Sequence, residues 1–283
     1  MAEVKAEYKA KLEQAVAILE AGVKDMFQNG KFDTYVRTMS QFHHYSLNNV
    51  IMALFQNPEI SRLASYQTWK RLGLQVREGE KAIKILCPVP RKVIREKITE
   101  QGTEQVIIEY NDYRLGNVFD ISQCDGELPE LATPPKTNSE EIATAVRQLM
   151  DSDNLIMFDN SLIGKGANGF FSLATKEIHI KPGMSDLQTF RCLLHEKAHS
   201  FLHDTDENMD KGIIETEAET ASFLACSALG FDETLSYSAG YLAAWSESRS
   251  SAELLSVVKR IQRASSVLLD WVTSTTNLVV AAV

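Results

Sequence analysis

The chain has 283 residues, 44% of them hydrophobic and 24% charged, which is the composition of a folded globular protein and excludes a disordered or collagen-like one. No run approaches the roughly 18 apolar residues of a membrane helix, and the first residues lack the apolar core of a signal peptide, so the expectation is a cytoplasmic protein without a membrane partner. The formal charge of −9 argues against a uniformly basic, nucleic-acid-coating surface, but it is uneven: residues 1–136 hold 18 basic and 18 acidic residues, and residues 137–283 hold 11 and 20, an asymmetry that predicts two domains, 1–136 and 137–283.

Residues 3 to 27 carry Tyr8, Leu12, Ala15, Leu19, Val23 and Met26 on one stripe, which predicts an amphipathic helix closed by the Asn29-Gly30 turn. A second helix is expected from about Asp33, and a third from Ser46 to Gln56, ended by Asn57 and Pro58. Between Arg62 and Lys97 ten basic residues meet three acidic ones, with Tyr66, Trp69, Gly73 and Gly79 interleaved. Such a stretch suits a groove that neutralises phosphates and stacks bases, and it suits a solvated basic face equally well. The candidate DNA contacts are Tyr45 and Trp69 for stacking and Lys70, Arg77, Lys81 and Lys84 for phosphates. KAIKILCPVP and QVIIEYNDYRLGNVFDIS read as strands, the latter a pair parted around Asn-Asp and Leu-Gly, so the first domain is expected to be α+β. The Pro-rich stretch GELPELATPPKTNSEE marks its end, and Thr137 with Glu140 predicts a capping box for the next helix.

Strands are expected around Phe170 to Leu173 and Glu177 to Ile180, after the glycine-rich GKGANG. Such an edge strand could bind an extended peptide by backbone pairing or serve structure alone. Next comes LLHEKAHSFLH. Ser185 and Gln188 form a capping box, and Phe190, Leu193, Leu194, Ala198, Phe201 and Leu202 recur at helical spacing. On that helix His195 and His199 stand one turn apart, about 40° around the axis, and can share one metal ion with Glu196 beside them. Catalytic zinc takes three protein ligands, so a third is sought downstream. IIETEAETASFLACSAL reads as a helix ending at Gly230, with Glu215 and Glu219 on one face and Glu217 opposite. Glu215 is the expected ligand and Glu219 the carboxylate that orients a ligating histidine, with the reverse assignment open. His203 reads as a surface histidine. Beyond lie LSYSAGYLAAW and a long helix striped by Leu254, Val258, Ile261, Ala264 and Leu268. Tyr237 or Tyr241 could donate to an oxyanion, or be core. The four cysteines are widely spaced and read as reduced.

FHHYSLNNVIMALFQNP, YQTWKRLGLQVREGEKAIKILCPVP and VFDISQCDGELP together resemble the ArdC-like N-terminal domain of antirestriction proteins, and HEKAHSFLH with ETEAETASFLACSALG resembles the ImmA/IrrE and LtrC-like branch of zincin metallopeptidases. The resemblance implies single-stranded DNA binding by the first domain, a mainly helical zincin domain with a small antiparallel sheet, and support for Glu215 as third ligand. The resulting expectation is an α+β protein of a mobile element, or of its host, that binds single-stranded DNA and hydrolyses peptide bonds. Zn2+ held by His195, His199 and Glu215 would activate water, and Glu196 would take its proton. The rivals are a protective antirestriction factor with a structural zinc site and a regulator that cleaves a repressor.

Overall fold

The computed structural model describes residues 2–42, 45–99, 102–126, 139–159, 163, 164, 166–202, 210–231 and 239–280. The architecture is α+β and divides into two units, one of residues 1–22 and 48–129, the other of residues 23–47 and 130–283. Helix α1 (Ala2–Gln28) runs through the boundary between them.

In the first unit, α1 meets α3 (Leu47–Gln56) at Gly22, where a Cβ would stand 2.7 Å from Ile51 Cγ2; only glycine permits this approach. The expected pair of strands after Gln105 is instead one continuous strand. β4 (Gly102–Asp120) pairs antiparallel with β3 (Ile83–Thr99) along its whole length, from Ile83 opposite Val118 to Thr99 opposite Gly102. Asn111 and Asp112 pair in register with Pro90 and Val89, and Gly116 lies under Cys87, whose Sγ would be 2.3 Å from an added Cβ. A short strand β1 (Leu63–Ala64) lies on the other side of β4, which leaves β3 at the edge.

That edge is covered by side chains. Asn49 Nδ2 donates to Leu86 O and its Oδ1 accepts from Leu86 N, at 2.9 and 2.7 Å; Gln56 does the same with Lys84 O and N, at 2.9 Å each. Seven residues separate the two amides, two helical turns, so both lie on one face of α3 and stand in for a missing strand. The backbone at Lys84 and Leu86 therefore points away from β4, and by the same parity so does that of Pro88 and Pro90, whose missing N–H groups cost the ladder nothing.

A second small cluster completes this unit. Ser65 caps α4 (Tyr66–Arg71) by accepting from Thr68 N, and Trp69 packs with Leu74 and Val76. β2 (Gln75–Val76) pairs with β5 (Cys124–Asp125). Asp120, wholly buried, accepts from the N–H groups of Ser61, Arg62 and Ser122 at 2.7 to 3.0 Å, while Gln123 Oε1 accepts from Asp120 N.

The second unit contains α2 (Phe32–Gln41), α5 (Ser139–Asp151), β6 (Ile156–Phe158), β7 (Gly169–Phe171), β8 (Ile178–Ile180), α6 (Asp186–Leu202), α7 (Lys211–Ala228), α8 (Ala239–Ser246) and α9 (Ser251–Thr275). The sheet order is β6-β8-β7, with β8 antiparallel to β7 but parallel to β6, so the sheet is mixed. Ile178 and Ile180 are buried in its core. On α6, Phe190, Leu193, Leu194 and Ala198 are buried as their spacing demands, whereas Phe201 is 41% exposed and lies under Lys197 Nζ. On α9 the whole stripe from Leu254 to Leu268 is buried; each large aliphatic contributes about 1.5–3 kcal/mol. α7 ends at Ala228 with Leu229 as its cap, followed by Gly230 at φ 84, the left-handed conformation that glycine adopts without strain. No described helix is long and apolar enough to cross a membrane.

Candidate metal centre

Helices α6 and α7 run in opposite senses, which brings His195 level with Glu219 and His199 level with Glu215. The start of α6 is fixed by Ser185, whose Oγ accepts from Gln188 N at 3.3 Å while Gln188 Oε1 accepts from Ser185 N at the same distance. Asp210 caps α7 by accepting from Gly212 N. The two histidines then turn their Nε2 atoms to one point, 3.1 Å apart, and Glu215 Oε2 lies 3.5 Å from the first and 3.6 Å from the second. A tetrahedral ion with ligand bonds of about 2.0–2.2 Å has donor-to-donor edges of roughly 3.3–3.6 Å, so this triangle fits such an ion and leaves its fourth position open. Among the described residues this is the one cluster of three or more ligating side chains that could hold a metal.

The charges around the triangle agree. Burial lowers the His195 imidazole, but the carboxylates of Glu215, Glu219 and Glu196 around it outweigh that and carry it up to about 10. Glu215 is held well below the usual carboxylate range by the hydrogen bonds of His195 and His199. Three carboxylates around one imidazole constitute a demand for positive charge that a divalent cation meets. Glu219 Oε2 stands 3.2 Å from His195 Nδ1, close enough for an ion pair although not aligned as a hydrogen bond. A proton on that nitrogen leaves the Nε2 lone pair directed at the triangle. Glu217 is excluded as a ligand: it is wholly buried and takes both the Nε and NH2 donors of Arg260 on α9.

Glu196 is 8% exposed and faces the cavity beside the triangle. Burial pushes its carboxyl up to about 7; the charge of His195 works downward, that of Glu215 upward, and a hydrogen bond from the Phe171 backbone N–H downward. Strand β7 presses on it closely. A Cβ on Gly169 would lie 2.8 Å from both Cγ and Oε1 of Glu196 and 2.6 Å from Cys192 Sγ, so glycine is required where the strand crosses the helix. Cys192 is held protonated there, its thiol pushed up to about 12 by burial and by Glu196. Neither residue was singled out from the sequence, because a glycine inside a three-residue strand gives no local sign of what it touches.

The cavity measures about 950 Å³ and is walled by β7 on one side and α7 on the other, with α6 as its floor. Among the described residues β7 pairs with β8 alone and stands at the edge of the sheet. Tyr237 and His203 lie outside the described residues, and the side chain of Tyr241, on α8, is likewise outside them.

The candidate DNA contacts are not brought together in the same way. Trp69 corrects the expectation: it is 3% exposed and its Nε1 donates to Phe119 O at 2.9 Å, so its ring faces are packed core and offer no stacking surface. Arg77 is largely engaged, donating to Glu80 Oε1, Ser122 O and Cys124 O. Lys84 Nζ donates to Asn117 Oδ1 at 2.7 Å. Lys70 and Lys81 are exposed. Tyr45 is half-buried, edge-on to Phe42, and belongs to the other unit.

Residues 5–119 match the family model of the N-terminal domain of anti-restriction factor ArdC. The chain is 25% identical to an uncharacterized protein of Bacillus anthracis across 74% of its own length, and spans 42% of the length of that relative. Its fold is similar to that of the antirestriction protein ArdC from the R388 plasmid. The Mn(II)-bound structure of that protein superposes with a TM-score of 0.51 at 18% identity, over 85% of this chain and 97% of that one. The metal-free structure gives a TM-score of 0.49 at 20% identity, over 89% and 99%.

Proposed function

We propose that this chain is an ArdC-like antirestriction protein of a mobile element, in which an N-terminal module that binds single-stranded DNA is joined to a zinc-dependent peptidase module. The observation that carries the second half is the donor triangle of His195, His199 and Glu215 set beside a buried carboxylate inside a cavity large enough for a peptide. A divalent ion held there supplies Lewis acidity, polarising a carbonyl and making water acidic enough to lose a proton near neutral pH.

The chain's own groups supply the remainder. Glu196 accepts that proton at its carboxylate and returns it to the leaving amine, a role suited to a carboxyl raised towards 7. Glu219 holds His195 in the tautomer that presents Nε2. The free edge of β7 offers backbone N–H and C=O groups to an extended peptide, and Phe171 and Phe223 keep bulk water from the reacting carbonyl. A purely structural metal site has no need of a base, and the position of Glu196 favours hydrolysis over that alternative.

The first half of the reading rests on the family-model match and on exposed cations such as Lys70 and Lys81. Binding to single-stranded oligonucleotides should weaken steeply as salt rises. Both halves meet in one experiment. New protein N-termini are compared between cells producing the wild type and Glu196→Gln, with and without a restriction challenge. Cleavage products present only with the wild type support the peptidase; protection against restriction with no difference in cleavage between the two would instead identify a non-proteolytic protective factor.

A further inference from the structure

With Trp69 packed into the core, a stacking surface for bases has to come from another aromatic of the first unit. Among the described residues of that unit three aromatic side chains are exposed: Phe55 and Tyr66 at 41% each and Tyr113 at 45%. They differ in what holds them. Phe55 lies where α3 crosses α1, its Cβ 3.2 Å from where a Cβ on Gly22 would stand, and its side chain has no polar atom by which to be fixed. Tyr113 follows Asp112, whose carboxylate accepts the Tyr113 N–H at 2.9 Å and would meet a phosphate with like charge. On Tyr66 the hydroxyl accepts from Gln75 Nε2 at 3.0 Å, and the same amide nitrogen donates to Val76 O at 3.1 Å, so the far end of the ring is tied to β2. The rotation of α4 does the rest. Trp69 is drawn inward by Phe119 O; Tyr66 lies about 60° round the axis from it, and Lys70 about 40° to the other side of Tyr66. A cation and an exposed ring therefore share one face of α4, about 6 Å apart along its axis.

From this arrangement we infer that Tyr66 is the base-stacking residue of the first unit: a base of single-stranded DNA lies on its ring, and Lys70 meets the adjoining phosphate. The inference rests on the reading of that unit as a single-stranded DNA module. The tether to Gln75 matters because a ring already fixed in place loses little rotamer freedom when a base settles on it. Every base has a flat π face, so a stack of this kind is tolerant of sequence. Asp125, opposite Gln75 in the β2–β5 pair, stands 3.6 Å from Arg77 NH1, which offsets its charge. Trp69 acts through Tyr66: by anchoring α4 in the core it turns the neighbouring aromatic outward.

The test uses the full chain with two fluorescein-labelled strands, an oligothymidylate and an abasic strand of equal length, and affinity is read by polarisation. Tyr66→Ala should weaken the oligothymidylate about tenfold to a hundredfold, the range of one aromatic–base stack, and leave the abasic strand unchanged. Tyr66→Leu, which keeps apolar volume without a π face, should match it, and Tyr66→Trp should restore binding. Lys70→Gln should weaken both strands alike and lower the slope of log affinity against log salt by about 0.7. A Tyr66→Leu variant that melts at the wild-type temperature and binds oligothymidylate as the wild type does overturns the inference. So does an equal loss on both strands from Tyr66→Ala, the mark of a displaced α4, and so does a larger loss from Tyr113→Ala than from Tyr66→Ala. Wild-type protein that binds both strands equally overturns the stack and leaves DNA binding standing, whereas protein that binds neither removes the DNA-binding reading as well.

Discussion

Asp120 and Glu196 are both buried carboxylates in motif-bearing segments, one in each unit, and they differ in what they face. The oxygens of Asp120 accept three backbone N–H groups, from Ser61, Arg62 and Ser122, and nothing is left over for a ligand. Glu196 has the flat backbone of Gly169 against one side and the open cavity on the other, and its burial raises it towards neutral pH. The contrast extends to their neighbours. In the first unit Asn49, Gln56, Trp69 and Gln123 spend their polar atoms on backbone groups, whereas in the second His195, His199, Glu215 and Glu219 turn theirs towards one another and the cavity. Polar residues that complete a backbone are structural; polar residues that crowd like charges around an open cavity call for a partner from outside.

The contrast predicts opposite responses to mutation. Glu196→Gln should leave the fold and metal content unchanged and lower hydrolysis of the eventual substrate by about 10² to 10⁴, the usual cost of a lost general base. Gly169→Ala should approach that loss by displacing the same carboxylate while the histidines keep their metal; a variant with wild-type turnover would show that the close approach does not matter. Trp69→Ala should cost about 3–5 kcal/mol of stability in denaturant unfolding of the full chain, because a packed indole is deleted and Phe119 O loses its donor. Unchanged stability with weakened DNA binding would restore Trp69 as a stacking residue.

Smaller effects sharpen the same comparison. Asn49→Ala removes both hydrogen bonds at Leu86 and should destabilise by about 1–3 kcal/mol, with increased amide exchange along the β3 edge. Asp25 provides a pH signature that owes nothing to the metal centre. Burial tends to raise its carboxyl, but Asn29, Lys31 and Tyr35 all donate to it and hold it below the ordinary value. A depressed carboxyl stabilises the fold above its unfolded value, near pH 4, and that contribution is lost as the pH falls through the folded value. Asp25→Asn should therefore flatten the loss of stability below pH 4 by about 1 kcal/mol or less, since the group is near the surface. An unchanged acid limb would remove Asp25 from the account.

What could be read from the sequence follows the same division. Helical periodicity locates α1, α6, α7 and α9 and the buried stripes of α6 and α9, Phe201 excepted, and the one-turn spacing of His195 and His199 puts both imidazoles on one face. The basic stretch misled because composition records that Trp69 and Arg77 lie among cations, but not that Phe119 and Glu80 fold back to claim them. The β3–β4 hairpin was legible as strand and not as one ribbon, since Gly116 under Cys87 is a long-range fit. The chain passes between the units three times: the passage at 129/130 lies in the Pro-rich stretch, whereas those at 22/23, inside α1, and at 47/48 carry no proline punctuation. Gly169 depends on contacts with Cys192 and Glu196 that exist only when β7 is laid on α6.

The central claim is that the second unit is built around a divalent ion, and elemental analysis of the purified full chain tests it most directly. The wild type and Glu196→Gln should each carry one ion, zinc when it is offered, per chain, and Glu217→Gln, provided that it folds, should match them. His195→Ala/His199→Ala should be empty, and Glu215→Ala should bind far more weakly. Full occupancy in the double histidine variant would contradict the account, as would an ion lost from Glu196→Gln but retained without His199.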